Sequence, residues 1–84
     1  IYDNSDGIIL FDSCNHISNN QIRENQRTGI IVSGSSFPKI EENQIFGNNQ
    51  TGITVRDNSR IEIVENKLYS NFYQISIHTC EEKL

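Results

Sequence analysis

The residue types and spacings most suggestive of chemistry in this chain are a pair of glutamates. Glu42 and Glu65 lie 23 residues apart, and each precedes an Asn that is followed two residues later by Ile or Leu. In a chain that returns on itself every 23 residues, the two carboxylates stand one layer apart. That separation is close to the roughly 5 Å between the two carboxyl groups of a retaining glycosidase. The same periodicity gives that spacing to every column, however, so the distance by itself selects nothing. Asn19 holds the third place in the column, and screened surface charge is the expected role. His16, Lys39 and Glu62 share another 23-residue column, which predicts a surface ion pair of Lys39 over Glu62, worth little energetically. His16 and His78 fall far apart along such a stack, and the chain has no Met, so neither a copper nor a zinc site is expected. Arg56-Asp57 could orient a ligand, but an isolated pair at a strand exit is ordinarily solvated. The residues thus predict no catalytic, metal-ligating or cofactor-binding set, and they identify no ligand-binding position.

What would position any of these groups is an internal repeat. Gly7-Ile8-Ile9-Leu10, Gly29-Ile30-Ile31-Val32 and Gly52-Ile53-Thr54-Val55 recur at spacings of 22 and 23, and Gln74-Ile75-Ser76-Ile77 is a fourth copy with Gln replacing Gly. Alternation sets Ile8, Ile30, Ile53 and Ile75 in one column and Leu10, Val32, Val55 and Ile77 in another, as a strand with one inward face requires. The second half of the unit is stricter. Ile17-Ser18-Asn19-Asn20-Gln21-Ile22 matches Ile40-Glu41-Glu42-Asn43-Gln44-Ile45 and Ile63-Val64-Glu65-Asn66-Lys67-Leu68, each followed by Asn25, Asn48 or Asn71. Ser13, Ser36 and Ser59 recur at the same interval, and Ile1 to Asn4 repeats the closing step.

This pattern predicts an all-β, right-handed, single-stranded parallel β-helix of about 3.5 coils of 22–23 residues, with three strands of two or three residues per coil. No window offers the ten or more residues of 3.6-residue periodicity that a helix needs. A leucine-rich repeat has a similar period, but the chain holds three Leu against fourteen Ile. A left-handed hexapeptide helix would repeat near 18. β-Branched residues suit the pleated surface. Eleven Asn and five Gly suit repeated tight turns.

In-register stacking, roughly 4.8 Å per coil, places equal positions above one another. The columns Asn20–Asn43–Asn66 and Asn25–Asn48–Asn71 are therefore expected to be structural carboxamide ladders. Their Asn residues would enter left-handed corners and bond the Asn of the next coil. The first coil lacks its first half and no amphipathic cap is visible, so residues 1–84 are expected to be a β-helix fragment of a longer protein, aggregating or poorly folded if excised.

The stretch from Gly34-Ser35-Ser36-Phe37-Pro38-Lys39-Ile40-Glu41-Glu42-Asn43-Gln44-Ile45-Phe46-Gly47-Asn48 through Gly52-Ile53-Thr54-Val55 resembles the parallel β-helix repeats of the pectate-lyase-like superfamily. Within it, the chain looks like the non-enzymatic branch sometimes called carbohydrate-binding and sugar-hydrolysis domains. Its nearest likeness is to the β-helix of F-box ubiquitin-ligase adaptors, where Ser-x-Pro-x-Ile-x-x-Asn-x-Ile recurs. The resemblance covers essentially the whole chain and implies a fold far more than a function. The Asn-Thr-Asp, Asp-Asp, Gly-His-Gly and Arg-x-Lys clusters of pectin hydrolases do not occur, nor does the Tyr-Gly-x-Asp-Pro-His strand of alginate epimerases. No F-box and no zinc finger is present to carry the ubiquitin-ligase role over.

Formal charge of −4 argues against nucleic acid, and no apolar run approaches a membrane span. Cys14 and Cys80 fall about three coils, or roughly 14 Å, apart, beyond disulfide reach. Two free thiols favour a reducing cytoplasm, although Asn49-Gln50-Thr51 is a glycosylation sequon. Phe11, Phe37, Phe46, Tyr69, Phe72 and Tyr73 include residues expected to point outward or fill corners, with Phe46 and Tyr69 in one column. Exposed aromatic strips mark interfaces. The sequence therefore predicts a non-catalytic cytoplasmic scaffold that binds other proteins, placed by the resemblance in a cytoskeletal or ciliary assembly. A substrate receptor of an F-box ubiquitin ligase and a carbohydrate-binding or polysaccharide-cleaving protein are the alternatives.

Overall fold

The computed structural model describes residues 1–79, and every regular element among them is a strand. These are β1 (Ile8–Phe11), β2 (His16–Ser18), β3 (Gln21–Arg23), β4 (Thr28–Ser33), β5 (Lys39–Glu41), β6 (Gln44–Phe46), β7 (Thr51–Asp57), β8 (Glu62–Val64), β9 (Lys67–Tyr69) and β10 (Tyr73–Thr79). Every third strand pairs, in parallel, so three sheets form with orders β1-β4-β7-β10, β2-β5-β8 and β3-β6-β9. This is an all-β parallel solenoid of about three turns, the architecture that the repeat predicts. The registers are those of the sequence columns: Ile8↔Ile30↔Ile53↔Ile75, Ile17↔Ile40↔Ile63 and Ile22↔Ile45↔Leu68. Strands of the first sheet are longer than the two or three residues expected, reaching seven in β7 and β10. Their Gly-Ile-x-Val segments pair on beyond the inward residues, and in β4 and β7 even the outward Ile31 and Thr54 are buried.

Ile22, Ile30, Ile40, Ile45, Ile53 and Val32 form the centre of the core, each fully buried. Burial of such a side chain stabilises by about 1.5–3 kcal/mol. Glycine recurs ahead of Ile8-Ile9-Leu10, Ile30-Ile31-Val32 and Ile53-Thr54-Val55 because the next coil passes too close for a side chain. A Cβ at Gly29 would stand 2.7 Å from the carbonyl oxygen of Gly52 and 3.0 Å from Asn48 Nδ2.

Corners are built from two residues with separate tasks. Positive φ falls on Asn19, Glu42 and Glu65 at one corner and on Glu24, Gly47 and Ser70 at the next. The ladder residue follows immediately, and no ladder Asn has a positive φ. This corrects the expectation that the ladder Asn themselves adopt the left-handed conformation. The left-handed residue redirects the chain, which leaves the following Asn free to aim its carboxamide inward. Asn25 N–H and Nδ2 both donate to Asn48 Oδ1 (3.1 and 2.8 Å), and Asn48 N–H and Nδ2 to Asn71 Oδ1 (3.0 and 2.9 Å). Asn20 is joined to Asn43, and Asn43 to Asn66, in the same two-bond manner. The second hydrogen of Asn43 Nδ2 goes to Ile17 O, and that of Asn48 to Ile22 O. A third column performs the same task with hydroxyls: Ser13 N–H donates to Ser36 Oγ and Ser36 N–H to Ser59 Oγ. No buried side-chain nitrogen or oxygen lacks a partner among the described residues.

Two substitutions test this account by thermal melting. Asn43→Leu strands Ile17 O and the Asn20 N–H and leaves Asn66 Oδ1 with only the backbone N–H of position 43; it is expected to cost about 3 kcal/mol or more, lowering Tm by about 10 °C or more. Gly29→Ala forces the Gly52 backbone to move and is expected to cost about 1–3 kcal/mol; unchanged melts would refute the close-approach and ladder assignments.

Candidate functional site

Glu42 and Glu65 line a shallow depression of about 270 Å³ with Asn19, Asn43, Gln44 and Lys67. Both sit on the left-handed corner, at φ 57° and 55°, and both are exposed. Their stacking is thus a property of the turn, shared with Asn19 above them at φ 58°. Water reaches both carboxylates.

The His16–Lys39–Glu62 column lies on the outer face of the β2-β5-β8 sheet as expected, but the ion pair is different. Lys39 Nζ lies 3.2 Å from Glu41 Oε1, two residues along its own strand and on the same face, and not on Glu62. His16 Nε2 approaches the same oxygen at 3.4 Å. The hydrogen bond from Lys39 is the main cause that holds the Glu41 carboxyl below its ordinary value, and Lys39 is raised in return, chiefly by its bond to Glu41. Asp57 is the last residue of β7, at φ 60°, and its Oδ2 accepts the Gly34 N–H at 3.0 Å. That bond accounts for Asp57 without a ligand, while Arg56 is exposed.

The larger depression, about 460 Å³, lies on the outer face of β7 and β10 and is lined by Gln50, Thr51, Phe72, Tyr73, Ser76 and His78. Phe72 and Tyr73 meet edge to face at 4.7 Å, and Ser76 Oγ lies 2.7 Å from His78 Nε2. A serine–histidine contact of this length is the spacing of a nucleophile and its base. Here the two are successive same-face residues of one strand, and His78 is exposed. None of the observed hydrogen bonds orients the other ring nitrogen. The sequence reading missed this pair, although strand alternation places residues 76 and 78 on one face.

The most ordered outward feature is a column on the β3-β6-β9 sheet. Tyr2, Arg23, Phe46 and Tyr69 occupy one register position in successive coils. Phe46 and Tyr69 stack at 4.8 Å with planes 2° apart, and Arg23 lies 4.4 Å from the Tyr2 ring centre. Stacking at the coil spacing turns ring faces toward one another and ring edges toward solvent. The column is therefore no flat platform for a sugar ring. Phe11, Phe37, Phe72 and Tyr73 are exposed elsewhere.

Glu41 contributes to stability in a defined pH window. Its lowered value makes the contribution present above its ordinary 4.5 and lost as pH falls through the lowered value. Lys39, being raised, contributes below its ordinary 10.5 and loses the contribution as pH rises through the raised value. Lys39→Ala is expected to return the Glu41 midpoint toward 4.5, read by carboxyl-resolved NMR titration. Glu42→Asn relieves a left-handed glutamate at φ 57° and is expected to raise stability by about 0.5–1 kcal/mol, read by thermal melting; an unchanged or lower Tm would refute the assignment of strain to this corner.

The chain matches the NosD family, described as periplasmic copper-binding protein, over residues 1–83. No curated protein and no solved structure matches it significantly. The relation to F-box adaptors is not shown, and the match overturns the cytoplasmic placement, on which the cytoskeletal or ciliary assembly rested. Cysteine usage misled because hydrogen-bonded stacking needs no disulfides in any compartment. Cys14 is a free, exposed thiol, and Cys80 lies outside the described residues. A resident copper does not fit the donors at hand. Among the described residues no three His, Cys, Asp or Glu converge, the chain has no Met, and His16 and His78 stand on different sheets in the first and last coils. The likeness is thus one of fold carried across the entire solenoid, and on that match the chain belongs to the NosD family.

Proposed function

We propose that this chain is a non-catalytic periplasmic scaffold, a rigid β-solenoid that binds another protein through the outer face of its β3-β6-β9 sheet. The observation that carries this reading is the Tyr2–Arg23–Phe46–Tyr69 column. Tyrosine and arginine are the residue types enriched where interfaces draw their affinity. Their mutual stacking means that little side-chain freedom remains to be lost on binding. The periplasmic placement rests on the family description. Within a copper-binding family, this stretch supplies the supporting surface and not the coordinating atoms.

Lys67 lies on the same face of β9 as Tyr69, two residues away, whereas Lys39 lies on the β2-β5-β8 sheet. Cross-linking mass spectrometry on the native protein in periplasmic extract is expected to join Lys67 to one constant protein neighbour. Tyr69→Ala should reduce that yield about tenfold while cross-links from Lys39 stay as they were. An unaltered Lys67 yield, or binding only on a polysaccharide panel, would replace the protein partner with a carbohydrate. His16→Ala and His78→Ala are expected to change copper affinity of the full chain by less than about tenfold, below the loss typical for a coordinating or supporting residue; a larger loss on direct copper titration would make these histidines ligands.

A further inference from the structure

Asn49-Gln50-Thr51 has the form of an N-glycosylation acceptor, and no other of the eleven asparagines stands in such a motif. In a protein of the periplasmic kind proposed above, the motif is open to enzymes that a cytoplasmic chain never meets. The structure also separates Asn49 from the other asparagines. All six ladder asparagines donate from Nδ2 to a protein acceptor. Asn49 is exposed at the bend between β6 and β7, anchored by its backbone N–H on Asn25 O at 3.1 Å. Thr51, which supplies the hydroxyl of the motif, is the first residue of β7 and is buried, in register with Thr28 and Tyr73. A transferase therefore reaches that hydroxyl only before β7 pairs. Asn49 stays on the surface once the coil has closed, so a bulky group there displaces no core residue.

Beside the motif is a place for a sugar. Gln50 and Thr51 line the depression of about 460 Å³ together with Phe72, Tyr73, Ser76 and His78. Gln50 O accepts the Tyr73 N–H at 2.8 Å, so the aromatic pair lies one coil from the motif. Phe72 and Tyr73 are 75% and 59% exposed, and their edge-to-face contact leaves the ring that offers its edge with both faces open. An open ring face beside amide and hydroxyl groups suits a pyranose, whose C–H bonds cover the ring while its hydroxyls take hydrogen bonds. The Tyr2–Arg23–Phe46–Tyr69 column, with ring edges outward, lacks that geometry.

We infer that Asn49 is an N-glycosylation site and that the Phe72–Tyr73 depression seats the first sugar of its glycan. The inference rests on the periplasmic placement, and the saccharide donor is a polyisoprenyl diphosphate. Asn49 Nδ2 bonds to the anomeric carbon as the bond from that carbon to the diphosphate oxygen breaks. The diphosphate leaves with the electron pair, and Nδ2 gives one proton to a base of the transferase. The test is electron-transfer mass spectrometry of the tryptic peptide 40–56, taken from full-length protein in the exported and cytoplasmic fractions of its own cells. The exported protein is expected to carry a saccharide on Asn49, and Asn49→Gln and Thr51→Val are each expected to abolish it. Thr51→Val keeps both Asn49 and a β-branched strand residue, so it separates enzymatic reading of the motif from adventitious glycation. Exported protein with a bare Asn49, or a saccharide that persists in Thr51→Val, would overturn the inference and leave the placement standing. Protein found only in the cytoplasmic fraction would overturn both. For the seat, the glycosylated chain is expected to melt about 4 °C above Asn49→Gln, and the same difference in a Phe72→Ala background to fall below about 2 °C. An equal difference in both backgrounds would take the sugar off the aromatic pair.

Discussion

A carboxamide in a ladder must find its neighbour at the same position one coil away, and that requirement governs the rest of the structure. Asn48 Oδ1 is reached by both N–H groups of Asn25, which is possible only if the two residues superpose along the axis. From Asn20 to Asn66, from Asn25 to Asn71 and from Ser13 to Ser59 every step is 23 residues, whereas the opening step from Asn4 to Asn25 is 21 and the glycine column runs 22, 23 and 22. The variation is absorbed between ladders: three residues separate Asn4 from Gly7 and Asn71 from Gln74, but four separate Asn25 from Gly29 and Asn48 from Gly52. Isoleucines alone would tolerate sliding, since one apolar contact resembles another. A buried amide left without its partner costs about 1–3 kcal/mol, so it is the polar columns that fix the register of the apolar ones.

Because registry is so tightly held, the columns of the fold could be read from spacing alone. Ile8, Ile30 and Ile53 align because they recur, and so do His16, Lys39 and Glu62. What spacing does not carry is which backbone conformation each residue takes. Nothing in Glu42 or Glu65 as residue types announces a left-handed corner; that follows from the inward aim of Asn43 and Asn66, which is visible only in three dimensions. Glycine was legible as a marker and illegible as a cause, since the close carbonyl belongs to a residue 22 or 23 positions away. The serine column was legible as a recurring turn, and its role as a third ladder depends on a hydroxyl direction that sequence does not give.

Side chains free to choose between neighbours were the least legible. Lys39 lies between Glu41 along its strand and Glu62 across the sheet, and its flexible stem settles on the former. Compartment was misjudged for a related reason. Few cysteines imply a reducing environment only for small folds that depend on disulfides, and a solenoid locked by polar ladders has no such dependence. The candidate surface shows the same division. The shared column of Phe46 and Tyr69 could be read from the repeat, but its extension to Arg23 and Tyr2 by ring and guanidinium stacking could not.

The direction of the inter-coil bonds gives the molecule a mechanical grain. Strand pairing and all three ladders connect one coil to the next, whereas within a coil the chain is continuous covalent backbone. Tension applied across the two edges therefore loads one layer of hydrogen bonds at a time and peels the solenoid coil by coil. Each coil of 23 residues released in this way would lengthen the chain by roughly 80 Å at full extension. Pulling on two points within one coil would instead meet the covalent chain. A solenoid of this build is compliant along its axis and stiff around its girth.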